Sequence, residues 1–185
     1  MAAISLKRKG YGQVEPNHLS GIVTGQIYAQ LPAASVSDGN LVAIAQLEQG
    51  QFLKYNYADG FAGLTGDGEW CLVYCEEKLY DPRKQMHKDF VLKATDFSDG
   101  FIYPRLFKTN IGDIYTTNTF GANTSDSAEV AGLTLSVKDY LEVDATTGYL
   151  KKAASLANAS VPCFQVVKEY TMPDGQPGVK IQRVK

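Results

Sequence analysis

Two histidines, three cysteines and 20 acidic residues are the groups in this 185-residue chain that could do chemistry. A side-chain nucleophile needs an adjacent base and usually a third group to orient it. His18 lies in an N-terminal stretch of mixed Lys, Gly, Pro and Asn, and His87 in the polar run from Asp81 to Asp89. Neither has a patterned partner, no G-x-S-x-G elbow occurs, and both read as solvated loop histidines. Cys71 and Cys75 fall in one apparent strand. At about 3.3 Å per residue they would stand roughly 13 Å apart, too far for a disulfide. With Cys163 the count is odd, and no C-x-x-C or second Cys/His pair suggests zinc. They read as small buried apolar side chains in a chain folded under reducing conditions. Asp67-Gly68-Glu69 lacks the alternating oxygen ligands of a calcium loop and reads as a turn. No phosphate-cradling glycine motif is present, and nothing selects a catalytic pair among the acids. The sequence therefore leads to no catalytic residue, no metal site and no cofactor.

Contacts with partners are a better prospect. Phe52, Tyr55, Tyr57, Phe61 and Trp70 crowd one stretch. Aromatics there pack in a core or across strands; where exposed, they anchor a partner or stack on sugar rings. Lys7, Arg8 and Lys9 form the one basic cluster. The candidate partner contacts are Lys7, Arg8, Lys9, Tyr11, Tyr55, Tyr57 and Phe61. A net charge of −2 gives no electrostatic footprint for nucleic acid. No stretch approaches the roughly 20 apolar residues of a membrane span, and Met1 to Leu6 is too short for a secretory signal.

The elements that would position these residues are strands. Helical periodicity is nearly absent, while short runs of period two, rich in Val, Ile, Tyr and Phe, recur along the chain. Trp70, Leu72 and Tyr74 alternate with Cys71, Val73 and Cys75. Leu133, Leu135 and Val137 alternate with Thr134 and Ser136, and Val179 and Ile181 with Lys180 and Gln182. Leu41 to Ala45 is apolar on both faces, which predicts a central strand covered on both sides. Asp38-Gly39, Asp59-Gly60, Asp67-Gly68, Asp99-Gly100 and Asp174-Gly175 punctuate the runs as tight turns. The fold class predicted is mainly β: an antiparallel β-barrel or sandwich, as one domain or as two similar small β lobes, with an extended N-terminal arm.

The predicted organisation is an extended arm over residues 1–18, a first β unit over 19–80, a connecting segment over 81–110 and a second β unit over 111–185. An arm of this kind would order on docking. Residues 118–132, rich in Thr, Ser, Asn and Ala, read as a long surface loop or a short helix from Ser125 to Ala131. Short phrases repeat in order: Gly25-Gln26-Ile27-Tyr28 with Gly112-Asp113-Ile114-Tyr115, Val36-Ser37-Asp38 with Val137-Lys138-Asp139, Gly50 and Phe52-Leu53-Lys54 with Gly148-Tyr149-Leu150-Lys151, and Cys71 with Cys163. They suggest an internal duplication with insertions.

Several phrases together resemble structural proteins encoded among the head genes of tailed bacteriophages. These are Phe101-Ile102-Tyr103-Pro104-Arg105-Leu106-Phe107-Lys108-Thr109, Gly112 to Asn118, Tyr140-Leu141-Glu142-Val143-Asp144, Phe164 to Lys168 and Val179 to Gln182. The resemblance covers roughly the second half of the chain. It implies a capsid decoration or cement protein: a small β-rich module on the outside of the major capsid protein lattice, often a trimer, without catalytic residues. Its location would be the virion, and the host cytoplasm before assembly. The sequence alone keeps a tail or fibre component and a carbohydrate- or host-surface-binding β module as alternatives, the last acting through Trp70 or Tyr57.

Overall fold

The computed structural model describes residues 3–18, 29–75, 87–121, 129–130 and 132–185. The strands are β1 (Ile4–Ser5), β2 (Arg8–Lys9), β3 (Val14–His18), β4 (Ala34–Ser37), β5 (Asn40–Ala43), β6 (Gln46–Leu47), β7 (Phe52–Asn56), β8 (Phe61–Gly63), β9 (Trp70–Val73), β10 (Leu92–Lys93), β11 (Leu106–Phe107), β12 (Ile114–Thr117), β13 (Glu129–Val130), β14 (Thr134–Leu135), β15 (Tyr140–Val143), β16 (Leu150–Ala153), β17 (Cys163–Thr171) and β18 (Pro177–Arg183). Two sheets dominate: a four-stranded one in the order β11-β9-β7-β8 and a six-stranded one in the order β16-β15-β17-β18-β12-β3. Strand pairing within them is antiparallel. The protein is mainly β as predicted, and because no sheet among the described residues closes on itself the barrel form of that prediction is set aside.

The two sheets share one core, and alternation along the strands explains why. Phe52, Trp70, Leu72 and Phe107 point from the smaller sheet to meet Tyr115, Leu141, Phe164, Val166, Val179 and Ile181 from the larger. Phe52 and Phe164 touch across this layer with ring centroids 5.6 Å apart. The odd-numbered partners, Leu53, Cys71 and Val73, face the opposite way into a second core with Ala29, Leu47, Ile102 and Leu106. The smaller sheet is thus a middle layer, apolar on both faces. A β15–β16 turn residue ties the layers together. Phe52 N–H donates to the Gly148 carbonyl at 2.8 Å, and a Cβ at Gly148, whose φ is +75°, would sit 2.3 Å from the Phe52 carbonyl oxygen. Only glycine combines that φ with that approach.

The doubly covered strand is β9, not Leu41 to Ala45. Leu41, Val42 and Ala43 belong to β5, which among the described residues pairs only with β4, and both faces of this hairpin are open. Its turn is Asp38-Gly39, with φ of +51° and +78°, the two positive values that a two-residue hairpin turn requires. An apolar run without alternation reads identically whether buried or bare, which is why the sequence misplaced it.

The N-terminal segment is extended, as predicted, but it lies on the body instead of hanging free. β1 pairs with β14, β2 with β13 and β3 with β12, and Ile4, Leu6 and Val14 enter the shared core. The connecting segment likewise supplies β10 to β6 and β11 to β9. Of residues 118–132, Asn118, Thr119 and Phe120 are buried rather than on a surface loop, held by bonds such as Thr119 Oγ1 to the Gln49 carbonyl at 2.7 Å. Residues 129–130 are strand, not helix; 122–128 lie outside the described residues. The repeated phrases do not mark equivalent strands: β7 pairs with β9, whereas β16, its matched counterpart, pairs with β15 alone. Gly25 to Tyr28 lie outside the described residues.

Candidate functional site

The predicted contact residues separate into an inner and an outer set. Arg8, Tyr11 and Phe61 are 1%, 1% and 2% exposed, so they cannot be surface contacts, and that expectation is corrected. Lys7, Lys9 and Tyr57 are exposed and Tyr55 is half-buried. Tyr55 and Tyr57 hold their rings 5.3 Å apart, with Tyr57 60% open to solvent. Trp70 is buried on its strand and carries Lys54 Nζ over its ring at 5.2 Å. The side chains of His18 and His87 lie outside the described residues.

Arg8 is inside because a carboxylate waits for it. Its guanidinium meets Glu48 Oε2 at 3.0 Å, with no exposed surface on either side chain. The same guanidinium donates to the carbonyls of Gly10 and Gly121, each at 2.6 Å. Glu48 Oε2 also accepts from Gly12 N–H at 2.7 Å, and Oε1 from Tyr149 Oη at 2.8 Å. Burial and the neighbouring Glu48 carboxylate push the Tyr149 phenol far up, so it donates at any ordinary pH. Beside this centre, Cys75 N–H donates to Gln49 Oε1 at 2.7 Å while Gln49 Nε2 donates back to the Cys75 carbonyl. A buried pair costs several kcal/mol in desolvation per ion and is sustained only when the remaining donors and acceptors are filled. Here all but the Arg8 Nε–H, which is buried without a partner, are engaged, and the bonds join the N-terminal segment, the β6–β7 turn, the 118–121 segment and the β15–β16 turn. The arrangement clamps segments together, with both charged side chains fully buried.

The three cysteines are unbonded and buried, in line with their reading as apolar fillers. Burial, then the nearby Glu69 carboxylate, pushes the Cys71 thiol up to about 12; burial also raises Cys75 and Cys163. Among the described residues no three His, Cys, Asp or Glu side chains gather as metal ligands.

Among the described residues two further outward features bear on contacts, and the sequence marked neither as an exposed surface. The first is the β4–β5 hairpin. Val36 faces Leu41 across it, and Ser35 faces Val42, with Val36, Leu41 and Val42 exposed by 48%, 39% and 48%. Asp38 is its one charged residue, and Gly39 at the tip has nothing within 4 Å of where a Cβ would be. The visible signal was an apolar run beside Asp-Gly with no charged residue in either strand. The second is a shallow pocket of about 220 Å³ where Lys54, Glu69 and Trp70 meet Val161, Pro162 and Arg183. It is smaller than the roughly 300–1,000 Å³ of small-molecule sites. Glu69 pairs with Lys108 at 3.0 Å, and Arg183 donates to Thr109 and to the Lys185 carbonyl. Residues this far apart in the chain left no pattern to find.

Compared with known proteins, the chain matches no family model, no curated protein and no solved structure.

Proposed function

We propose that this protein is a virion structural component that binds and stabilises the outer surface of a bacteriophage capsid, a decoration or cement protein whose partner is the major capsid protein. The carrying observation is the β4–β5 hairpin, which projects apolar side chains from both faces of a two-stranded ribbon. Natural sheets protect exposed edges with charge, proline or bulges, and a hairpin bare on both faces gains little stability by itself. Val36, Leu41 and Val42 on such a ribbon suit a surface that another protein covers. The resemblance of Phe101 to Thr109, Gly112 to Asn118 and the later phrases to phage head proteins supplies the identity of that other protein. The layered core beneath it suits a module that must stay rigid while bearing load between capsid subunits.

Antibody labelling of intact virions under the electron microscope tests the reading. Label spread over the head lattice agrees with it. Label confined to the tail, or absent from purified virions, overturns it.

The exposed Tyr55–Tyr57 pair favours one second reading, a carbohydrate- or host-surface-binding module. Trp70 is too enclosed to serve there. Tyr57→Ala should then abolish glycan-array binding with the fold intact; a wild-type chain that binds no glycan removes this reading.

A further inference from the structure

We infer that copies of this chain associate head to tail, with the β4–β5 hairpin of one copy seated in the Lys54–Arg183 pocket of the next. Two independent features complement each other. The hairpin ends in a carboxylate between apolar side chains: Val36 and Leu41 directly opposite one another, with Asp38 at the turn. The pocket is the inverse. Its apolar surface comes from Trp70, Val161 and Pro162, and its cations are Lys54 and Arg183.

The charge balance favours an anionic visitor. Glu69, the carboxylate of the pocket, is already met by Lys108. Lys54 donates to the Gly66 carbonyl at 3.3 Å, and Arg183 to carbonyl and hydroxyl oxygens; neither has a carboxylate partner among the described residues. Asp38 likewise has no ion pair among them. The volume, about 220 Å³, suits one or two side chains rather than a free ligand. Val161, 55% exposed at its rim, would be covered by the same contact as Leu41.

Within one copy no hairpin residue lines the pocket. β4 is tethered beside β8, where Ala33 bridges Ala62 and Ala62 N–H donates to the Pro32 carbonyl at 2.9 Å. The hairpin and the pocket are different surfaces, so the contact is heterologous and repeats from copy to copy, either closing into a ring or extending. The contact belongs to the free protein, and the capsid contact proposed above would compete with it for the same hairpin.

Sedimentation velocity of the full chain over a range of concentrations provides the test, with folding of each variant checked by circular dichroism. Asp38→Lys and Lys54→Glu should each weaken self-association at least tenfold. A 1:1 mixture of the two variants should recover association, because a wild-type hairpin meets a wild-type pocket at one contact and the reversed charges meet at the next. Combining both substitutions in one chain should recover association by reversing the charges. If Lys54→Glu fails to fold, Val161→Asp at the rim replaces it in the single-variant and mixing arms. A wild-type chain that stays monomeric throughout overturns the inference. So does association unaffected by either substitution, or a failure of the mixture to pair.

Discussion

Two tyrosines buried to similar degrees should respond to loss of the same oxygen with opposite sign. Tyr149 Oη donates at 2.8 Å to Glu48 Oε1. Tyr149→Phe leaves that carboxylate oxygen enclosed with one donor fewer, although Oε2 keeps Arg8 and Gly12. A hydrogen bond to a buried charge is worth about 1.5–3 kcal/mol, and that loss is expected here. Tyr115 Oη is buried without a hydrogen-bond partner, and burial drives its phenol far up. Tyr115→Phe keeps the ring against Phe164, whose centroid lies 5.5 Å away, and removes only the desolvated hydroxyl. Since stranding such a group costs about 1–3 kcal/mol, the variant should gain about 1 kcal/mol. Urea unfolding followed by circular dichroism resolves both. With a slope near 2–3 kcal/mol per molar, Tyr149→Phe lowers the midpoint by about 0.5–1.5 M and Tyr115→Phe raises it by about 0.3–0.5 M. Destabilisation of both by similar amounts would refute the claim that the buried polar centre, and not ring packing, distinguishes them.

Deleting residues 1–18 should unfold the body rather than release a dispensable arm, because it uncovers the core around Ile4, Leu6 and Val14 and strands Glu48; a truncated chain with native far-ultraviolet dichroism would contradict this. Gly148→Ala should cost at least about 2 kcal/mol from positive φ and the clash with Phe52, against about 1 kcal/mol for Gly39→Ala, which meets nothing; parallel urea titrations compare them. Thiol reagent should modify none of the three cysteines in the native protein and all three in urea, since each is buried and protonated; a native-state adduct counted by mass spectrometry would contradict it. The Asp144 carboxylate accepts from Thr146 N–H and Oγ1, which hold its pKa below the ordinary range. The stability it contributes is therefore fully present above about pH 4 and disappears as the pH falls through the lower folded-state value. Asp144→Asn should be less stable than wild type at neutral pH, with the two curves converging in acid.

What could be read in the sequence was local. Trp70, Leu72 and Tyr74 against Cys71, Val73 and Cys75 divide between the two cores as their alternation predicted, and Leu135 with Val179 and Ile181 faces inward in the same way. These assignments need only the two-residue period of a strand. Long-range pairing is another matter. Nothing in Lys7-Arg8-Lys9 distinguishes the middle residue, because its burial is set by a carboxylate 40 residues away. Asn118 and Thr119 looked like loop residues because polarity is visible and their backbone partners are not. The hairpin around Leu41 failed in the opposite sense: apolar composition indicated cover that the described residues do not provide. The pocket is assembled from four separate stretches, so no spacing could announce it.

The hydrogen bond from Gln13 to Asp174 spans 161 positions of the chain, and β3 reaches the six-stranded sheet only through β12, which leans on β18. During synthesis the earliest strands therefore emerge long before their neighbours exist. Sheets dominated by such distant pairings fold in milliseconds to seconds rather than microseconds. For that interval Ile4, Leu6 and Val14 are sticky and unclaimed, so yield in a cell should depend on translation speed and on chaperones that shield nascent chains.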